Sequence, residues 1–172
     1  MRFARFVLVV VAGLGLSAAG ACGDIIAVGS GDDHASLVVN FSDGAYFVFD
    51  VAFTGTTTGL GLFDLIEAET ALTTVRNDFG WGVYVDGIAY DGHSNSGFGD
   101  GEDWWHYWIK DSETAAWESP WDFGASDRIV SNGAYDGWVY GTADVPVTPE
   151  PATLALAALG AAGALLRRRK GR

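Results

Sequence analysis

Between Trp104 and Trp138 the chain places six of its seven tryptophans: Trp104, Trp105, Trp108, Trp117, Trp121 and Trp138, with Tyr107 and Tyr135 among them. Rings at this density can stack on a sugar or another flat ligand. In an extended strand successive side chains alternate faces, so Trp104, His106 and Trp108 would share one face and Trp105, Tyr107 and Ile109 the other. One face belongs to a core, and the other makes Trp104, Trp105, Tyr107 and Trp108 a candidate ligand platform. The competing reading is that helix and loops cover both faces. Just upstream, Gly97–Asp103 offers Asp100, Glu102 and Asp103, carboxylates of the kind a hard cation such as Ca²⁺ takes. The D-x-[DN]-x-[DN]-G calcium loop is absent, so a solvated acidic turn competes with metal binding, and no cofactor is expected. The histidines, His34, His93 and His106, stand apart from one another in sequence. No G-x-S-x-G, H-E-x-x-H, P-loop or dinucleotide fingerprint is present. Paired acids such as Glu102 and Asp103 could serve acid–base work, but among 22 acidic residues spacing singles out none. The expectation is therefore no catalytic residue and no enzyme activity.

The two ends carry a different chemistry, that of addresses. Arg2 and Arg5 precede an apolar run from Phe6 to Leu16, and a small-residue stretch ends at Ala19-Gly20-Ala21. This is the layout of a secretory signal, residues 1–21, with cleavage between Ala21 and Cys22, and it implies the Sec machinery and signal peptidase as partners. Cys22 is the only cysteine, so no intramolecular disulfide can form. Acylation of Cys22 is the alternative, but Ala19 stands where a lipoprotein signal usually has Leu. At the other end Pro149-Glu150-Pro151 precedes the uncharged run Ala152–Leu166, then Arg167, Arg168, Arg169 and Lys170. As a helix that run would be about 22 Å long, short of a bilayer core of about 30 Å. The basic cluster would face the cytoplasm, leaving the domain outside. Pro149 and Pro151 keep the preceding chain extended, a form a processing enzyme can grip.

Charge divides the chain in the same way. Seven of the ten basic residues lie in the two ends, and all 22 acidic residues lie between Asp24 and Glu150. The middle holds only Arg76, Lys110 and Arg128, a net charge of −19. Such a surface repels nucleic acid and anionic lipid.

The elements that must position these residues follow from turn signals. Asp43-Gly44, Asp86-Gly87, Asp91-Gly92, Asp100-Gly101, Asn132-Gly133 and Asp136-Gly137 are dipeptides of tight turns. The short apolar runs between them predict strands over Ser36–Phe41 and Tyr46–Phe53, Gly82–Val85 and Ile88–Tyr90 around Asp86-Gly87, Trp104–Lys110, and Trp138–Gly141. Leu62, Leu65, Ile66 and Glu69 fall at helical spacing and predict one helix over Leu60–Glu69. The fold class is α+β and β-rich: one main helix packed on an antiparallel or mixed sheet in a single small domain, residues 22–147.

The tripartite end, residues 148–172, closely resembles the PEP-CTERM sorting signal of Gram-negative bacteria. The resemblance implies an exosortase that recognises Pro149, Glu150 and Pro151, an inner-membrane intermediate, and delivery to the cell surface or exopolysaccharide matrix. A second resemblance joins the Thr56-Thr57-Thr58 entry, the Leu-Phe-Asp-Leu-Ile helix, Phe79-Gly80-Trp81-Gly82-Val83-Tyr84-Val85-Asp86-Gly87-Ile88 and Trp104-Trp105-His106-Tyr107-Trp108. Over Thr54–Lys110 these resemble the transcobalamin-like C-terminal domain, which implies a β-grasp-type module but carries over no ligand residue. The expected function is a sorted, non-catalytic surface or matrix protein that binds a ligand or glycan, with exopolysaccharide or a small molecule as partner. The alternatives are a purely structural matrix protein and a secreted hydrolase acting through clustered carboxylates.

Overall fold

The computed structural model describes residues 25–97 and 103–147. The signal segment, the acidic positions Asp100 and Glu102, and the sorting segment from Thr148 onward lie outside the described residues. Ten strands and one helix follow in chain order: β1 (Ile25–Gly29), β2 (Asp33–Asn40), β3 (Tyr46–Phe53), β4 (Thr57–Thr58), α1 (Gly59–Glu69), β5 (Thr73–Asp78), β6 (Val83–Tyr90), β7 (His93–Ser96), β8 (Trp105–Lys110), β9 (Ile129–Val130) and β10 (Tyr135–Tyr140).

Five strands form the main sheet in the order β1-β3-β2-β10-β8. β2 and β3 are an antiparallel hairpin turning at Asp43-Gly44, as predicted, and β8 lies antiparallel to β10. β10 runs parallel to β2, and β1 parallel to β3, so the sheet is mixed. A second sheet, β5-β6-β7, and the short β4–β9 pair complete the fold. Among the described residues no helix is long and apolar enough to cross a membrane.

Alternation along the strands builds the core. Leu37 and Val39 of β2, Phe49 and Val51 of β3, and Trp138 of β10 point to one face of the main sheet and are buried. Leu62, Phe63 and Ile66 of α1 pack with them, as do Val85 and Ile88 of β6. The predicted helix is present, one residue longer at its start. Thr58 is its N-cap, accepting the Gly61 N–H on Oγ1 at 3.0 Å. At the other end the Thr70 hydroxyl donates back to Ile66 O at 2.8 Å. Glu67 and Asp64 of the helix hold Arg76 of β5, at 3.1 and 2.6 Å, and Glu69 accepts the Gly29 N–H of β1 at 3.0 Å.

Two predicted turns are not turns. Asp86-Gly87 lies inside the unbroken strand β6. There Asp86 is the extra residue of a β-bulge opposite Val75 and Arg76, and its carbonyl accepts the Gly97 N–H at 3.0 Å. Gly87 sits in a crowded sheet, where a Cβ would come within 3.1 Å of Ser96 and 3.3 Å of Val75. The real turn is Asp91-Gly92 between β6 and β7, both at positive φ, 48° and 84°, which a two-residue type I′ hairpin requires. Asp136-Gly137 is likewise mid-strand, in β10. Asp136 points inward to a buried cation, and Gly137 leaves room on the outer face for Pro146 and Trp117.

Candidate functional site

The predicted platform strand exists as β8, but its rings do not form an open surface. Trp105 is 3% exposed and packs edge-on against Phe41 and Tyr140. Tyr107 lies against Trp138 and donates its hydroxyl to Asp136 Oδ2 at 2.6 Å. Trp104, His106 and Trp108 are half-buried, with Trp104 and His106 5.0 Å apart. Alternation predicts a strand of this kind but is silent on what covers each face. Here α1 and the core cover one side. On the other, Trp117 and the buried Pro146 close over Gly137 beside Trp108.

The exposed aromatics lie elsewhere. β5 turns into β6 through Phe79-Gly80-Trp81-Gly82, closed by the Phe79 N–H to Gly82 O at 3.1 Å and by the Gly80 N–H to Asp78 Oδ1 at 2.7 Å. The turn sets Phe79 and Trp81 in a stack, 5.7 Å between centroids and 18° between planes. Trp81 is 84% exposed. Facing it is the loop Trp121–Asp127, on which Trp121 is 93% exposed and Phe123 also reaches solvent. Between turn and loop is a groove of about 460 Å³, lined by these four rings with Val83, Tyr84, Asp122, Ser126 and Asp127. Large exposed rings gathered around one concavity make it a candidate binding surface, since each leaves apolar area in water.

The loop is held from behind. Ala125 O accepts the Leu60 N–H at 3.0 Å and Arg128 O accepts the Gly59 N–H at 3.2 Å. These carbonyls and the Thr58 hydroxyl satisfy N–H groups that a helix start leaves open. Arg128 is then drawn into the interior, where its Nε donates to Asp136 Oδ1 at 2.8 Å and its Nη2 to Asp111 at 3.2 Å. Asp136 is 0% exposed. Burial pushes its carboxyl above the usual range, against the Tyr107 hydrogen bond and the Arg128 charge, which pull it down. Burial also pushes the Tyr107 phenol well up, helped by the Asp136 charge. Gly59, at the first turn of α1, completes this nest. A Cβ there would lie 2.5 Å from Asp136 Oδ2 and 2.7 Å from the Tyr107 hydroxyl. The negative carboxylate thus sits at the positive end of the helix, whose own first turn holds no acid.

In the groove itself, burial and then the Asp86 and Tyr140 charges raise Tyr84 to about 12, so it is a neutral phenol at physiological pH. Asp122 and Asp127 are exposed. Of the candidate cation loop only Asp103 is described, as an exposed residue. Among the described residues no cluster of three or more His, Cys, Asp or Glu is placed to hold a metal. The histidines do not meet: His34 pairs with Asp50 and His93 with Asp43, while the His106 ring lies tilted against Trp104.

The sequence signals for the groove were present but scattered. Phe79-Gly80-Trp81-Gly82 places two rings on a tight glycine turn, and Trp121-Asp122-Phe123-Gly124 repeats that pattern. What pairs the two segments is the fold.

Residues 147–170 match the family model of the PEP-CTERM protein-sorting motif. No curated protein and no solved structure gives a significant match to the chain. The chain therefore carries a PEP-CTERM sorting motif, which contains Pro149, Glu150, Pro151 and the basic cluster Arg167–Lys170. That motif marks an exported protein of Gram-negative type, sorted by an exosortase.

Proposed function

We propose that the domain is a non-catalytic glycan-binding module, delivered to the cell surface or exopolysaccharide matrix by exosortase sorting. The observation that carries this reading is the groove between Phe79–Gly82 and Trp121–Asp127, where Trp81 and Trp121 stand almost fully in solvent. Pyranose rings present an apolar C–H face that stacks on indole, and their hydroxyls need acceptors such as Asp122 and Asp127 at the rim. The sheet order supports the β-grasp-type expectation: two hairpin strands, a helix, and two further strands, with β2 and β10 parallel at the centre. Export through the Sec machinery, removal of residues 1–21 by signal peptidase and an inner-membrane intermediate are part of the same proposal. The Trp104–Trp108 segment acts in it as core and scaffold.

The test is a pull-down of mature protein with exopolysaccharide from producing cells, together with tryptophan fluorescence. Trp121→Ala and Trp81→Ala lie outside the core and leave folding intact within about 0.5 kcal/mol, as surface substitutions do. Each is expected to cut binding at least about tenfold, a loss of about 1.4 kcal/mol. Wild-type affinity in both variants overturns the reading. A wild-type domain that binds no glycan, in protein still lodged in the matrix, favours a structural role. A hydrolase working through Asp122 and Asp127 would release sugar ends, and Asp122→Asn with Asp127→Asn would abolish that release.

A further inference from the structure

Resting on the groove as the glycan site, we propose that its ligand is an amino-sugar polysaccharide bearing free ammonium groups. Charge surrounds an aromatic floor in this groove. The rings of Trp81 and Trp121 present negative faces, which attract an ammonium as well as a sugar's C–H face. Among the described residues, the only charged side chains lining the groove are Asp122 and Asp127, and both are exposed.

An anionic polymer would need a cation, and the described residues offer none that is uncommitted. Arg76 is held by Asp64 and Glu67. Arg128 is held inside by Asp136 and Asp111. Lys110 is buried, its Nζ 4.2 Å from the Tyr135 ring centroid and 4.9 Å from that of Trp117, and it donates to Glu113 O. These are all the Lys and Arg residues between Asp24 and Glu150, where the net charge is −19. A field of that sign repels uronate, sulfate and phosphate polymers before contact and concentrates polycations at the surface. A neutral polymer gains the stacking and hydroxyl hydrogen bonds to the two carboxylates, but nothing from their charge or from the field.

The experiment uses mature protein purified from cells and three oligosaccharides of equal length: glucosamine oligomers, their fully N-acetylated counterparts and oligogalacturonate. Binding is read by tryptophan fluorescence and equilibrium dialysis. The glucosamine oligomer is expected to bind at least about tenfold tighter than the acetylated one, and to weaken as salt rises from about 50 to 500 mM, where the screening length falls well below 10 Å. Asp122→Asn with Asp127→Asn is expected to erase that preference while the acetylated oligomer still binds. Trp121→Ala is expected to weaken both. Equal affinity for the two oligomers without salt dependence overturns the ammonium proposal and leaves the glycan-binding reading standing. Preference for oligogalacturonate overturns it as well. Binding of the amino oligomer that survives loss of both Trp81 and Trp121 overturns the groove as the site.

Discussion

The buried centre of the molecule is one carboxylate. Asp136 receives Arg128 and Tyr107 and lies against the start of α1. Removing its charge strands the Arg128 guanidinium, itself 7% exposed, without its buried counterion. Asp136→Leu should therefore cost about 3–5 kcal/mol of unfolding free energy, and Asp136→Leu with Arg128→Met should recover much of it, since an apolar pair needs no partner. Urea unfolding of the single and double variants checks this, and equal losses in both would be the contrary result. Acid should not act through this pair. Asp136 is raised by burial, so its own contribution is fully present below the ordinary carboxylate range and is lost as pH rises. Asp43 has the opposite sign. The His93 hydrogen bond first, and then the Ala45 N–H, hold its carboxyl below 3.8. Its contribution is present above that value and is lost as pH falls through the lower folded one. Asp43→Asn should flatten the fall of Tm between about pH 5 and pH 3 relative to wild type, and thermal melts across that window decide it.

At the scale of elements, α1 offers a test in which local propensity and tertiary fit disagree. In an exposed helix Gly→Ala stabilises by about 1 kcal/mol. At Gly59 the added Cβ would press on Asp136 and Tyr107, so Gly59→Ala should destabilise. Thr58→Ala loses the cap on Gly61 and should cost about 1 kcal/mol. Denaturant midpoints separate the two, and a stabilised Gly59→Ala would show that the nest relaxes. The same helix was readable in advance, because Leu62, Leu65, Ile66 and Glu69 carry its period within one segment. So was the β2–β3 hairpin, whose turn and strands are neighbours in the chain. The β1 strand was missed because its partner β3 lies parallel and beyond an intervening strand. Asp86-Gly87 and Asp136-Gly137 misled for a related reason. The dipeptide reports a local turn preference, whereas the bulge against Val75 and the pull of Arg128 are set by other elements. The candidate groove is hard to read for the same reason: the density of tryptophan draws attention to Trp104–Trp108, a strand whose rings are buried or half-buried, whereas Trp81 and Trp121 acquire meaning only when two separate loops face each other.

For the whole molecule, fold and address meet at one residue. Pro146 is buried over Gly137 and Trp117, and the matched sorting motif begins at Val147. The folded domain therefore reaches up to the motif with no slack between them. This junction also separates the charges, with a domain at −18 on one side and Arg167, Arg168, Arg169, Lys170 and Arg172 on the other. Cleavage near Pro149-Glu150-Pro151 would remove those positive charges and release a strongly acidic domain, which gives processing two independent readouts. Pro149→Ala with Pro151→Ala alters the recognition motif while leaving the described domain untouched. In cells with an active exosortase this variant should accumulate as a heavier and more basic species in the membrane fraction, while wild type appears lighter and more acidic outside the cell. Intact-mass measurement with isoelectric focusing reads both changes at once. A variant matching wild type in mass and isoelectric point would place recognition elsewhere in the segment from Val147 onward. A wild-type protein that keeps its basic end at the surface would make the C-terminal segment an anchor rather than a processed signal.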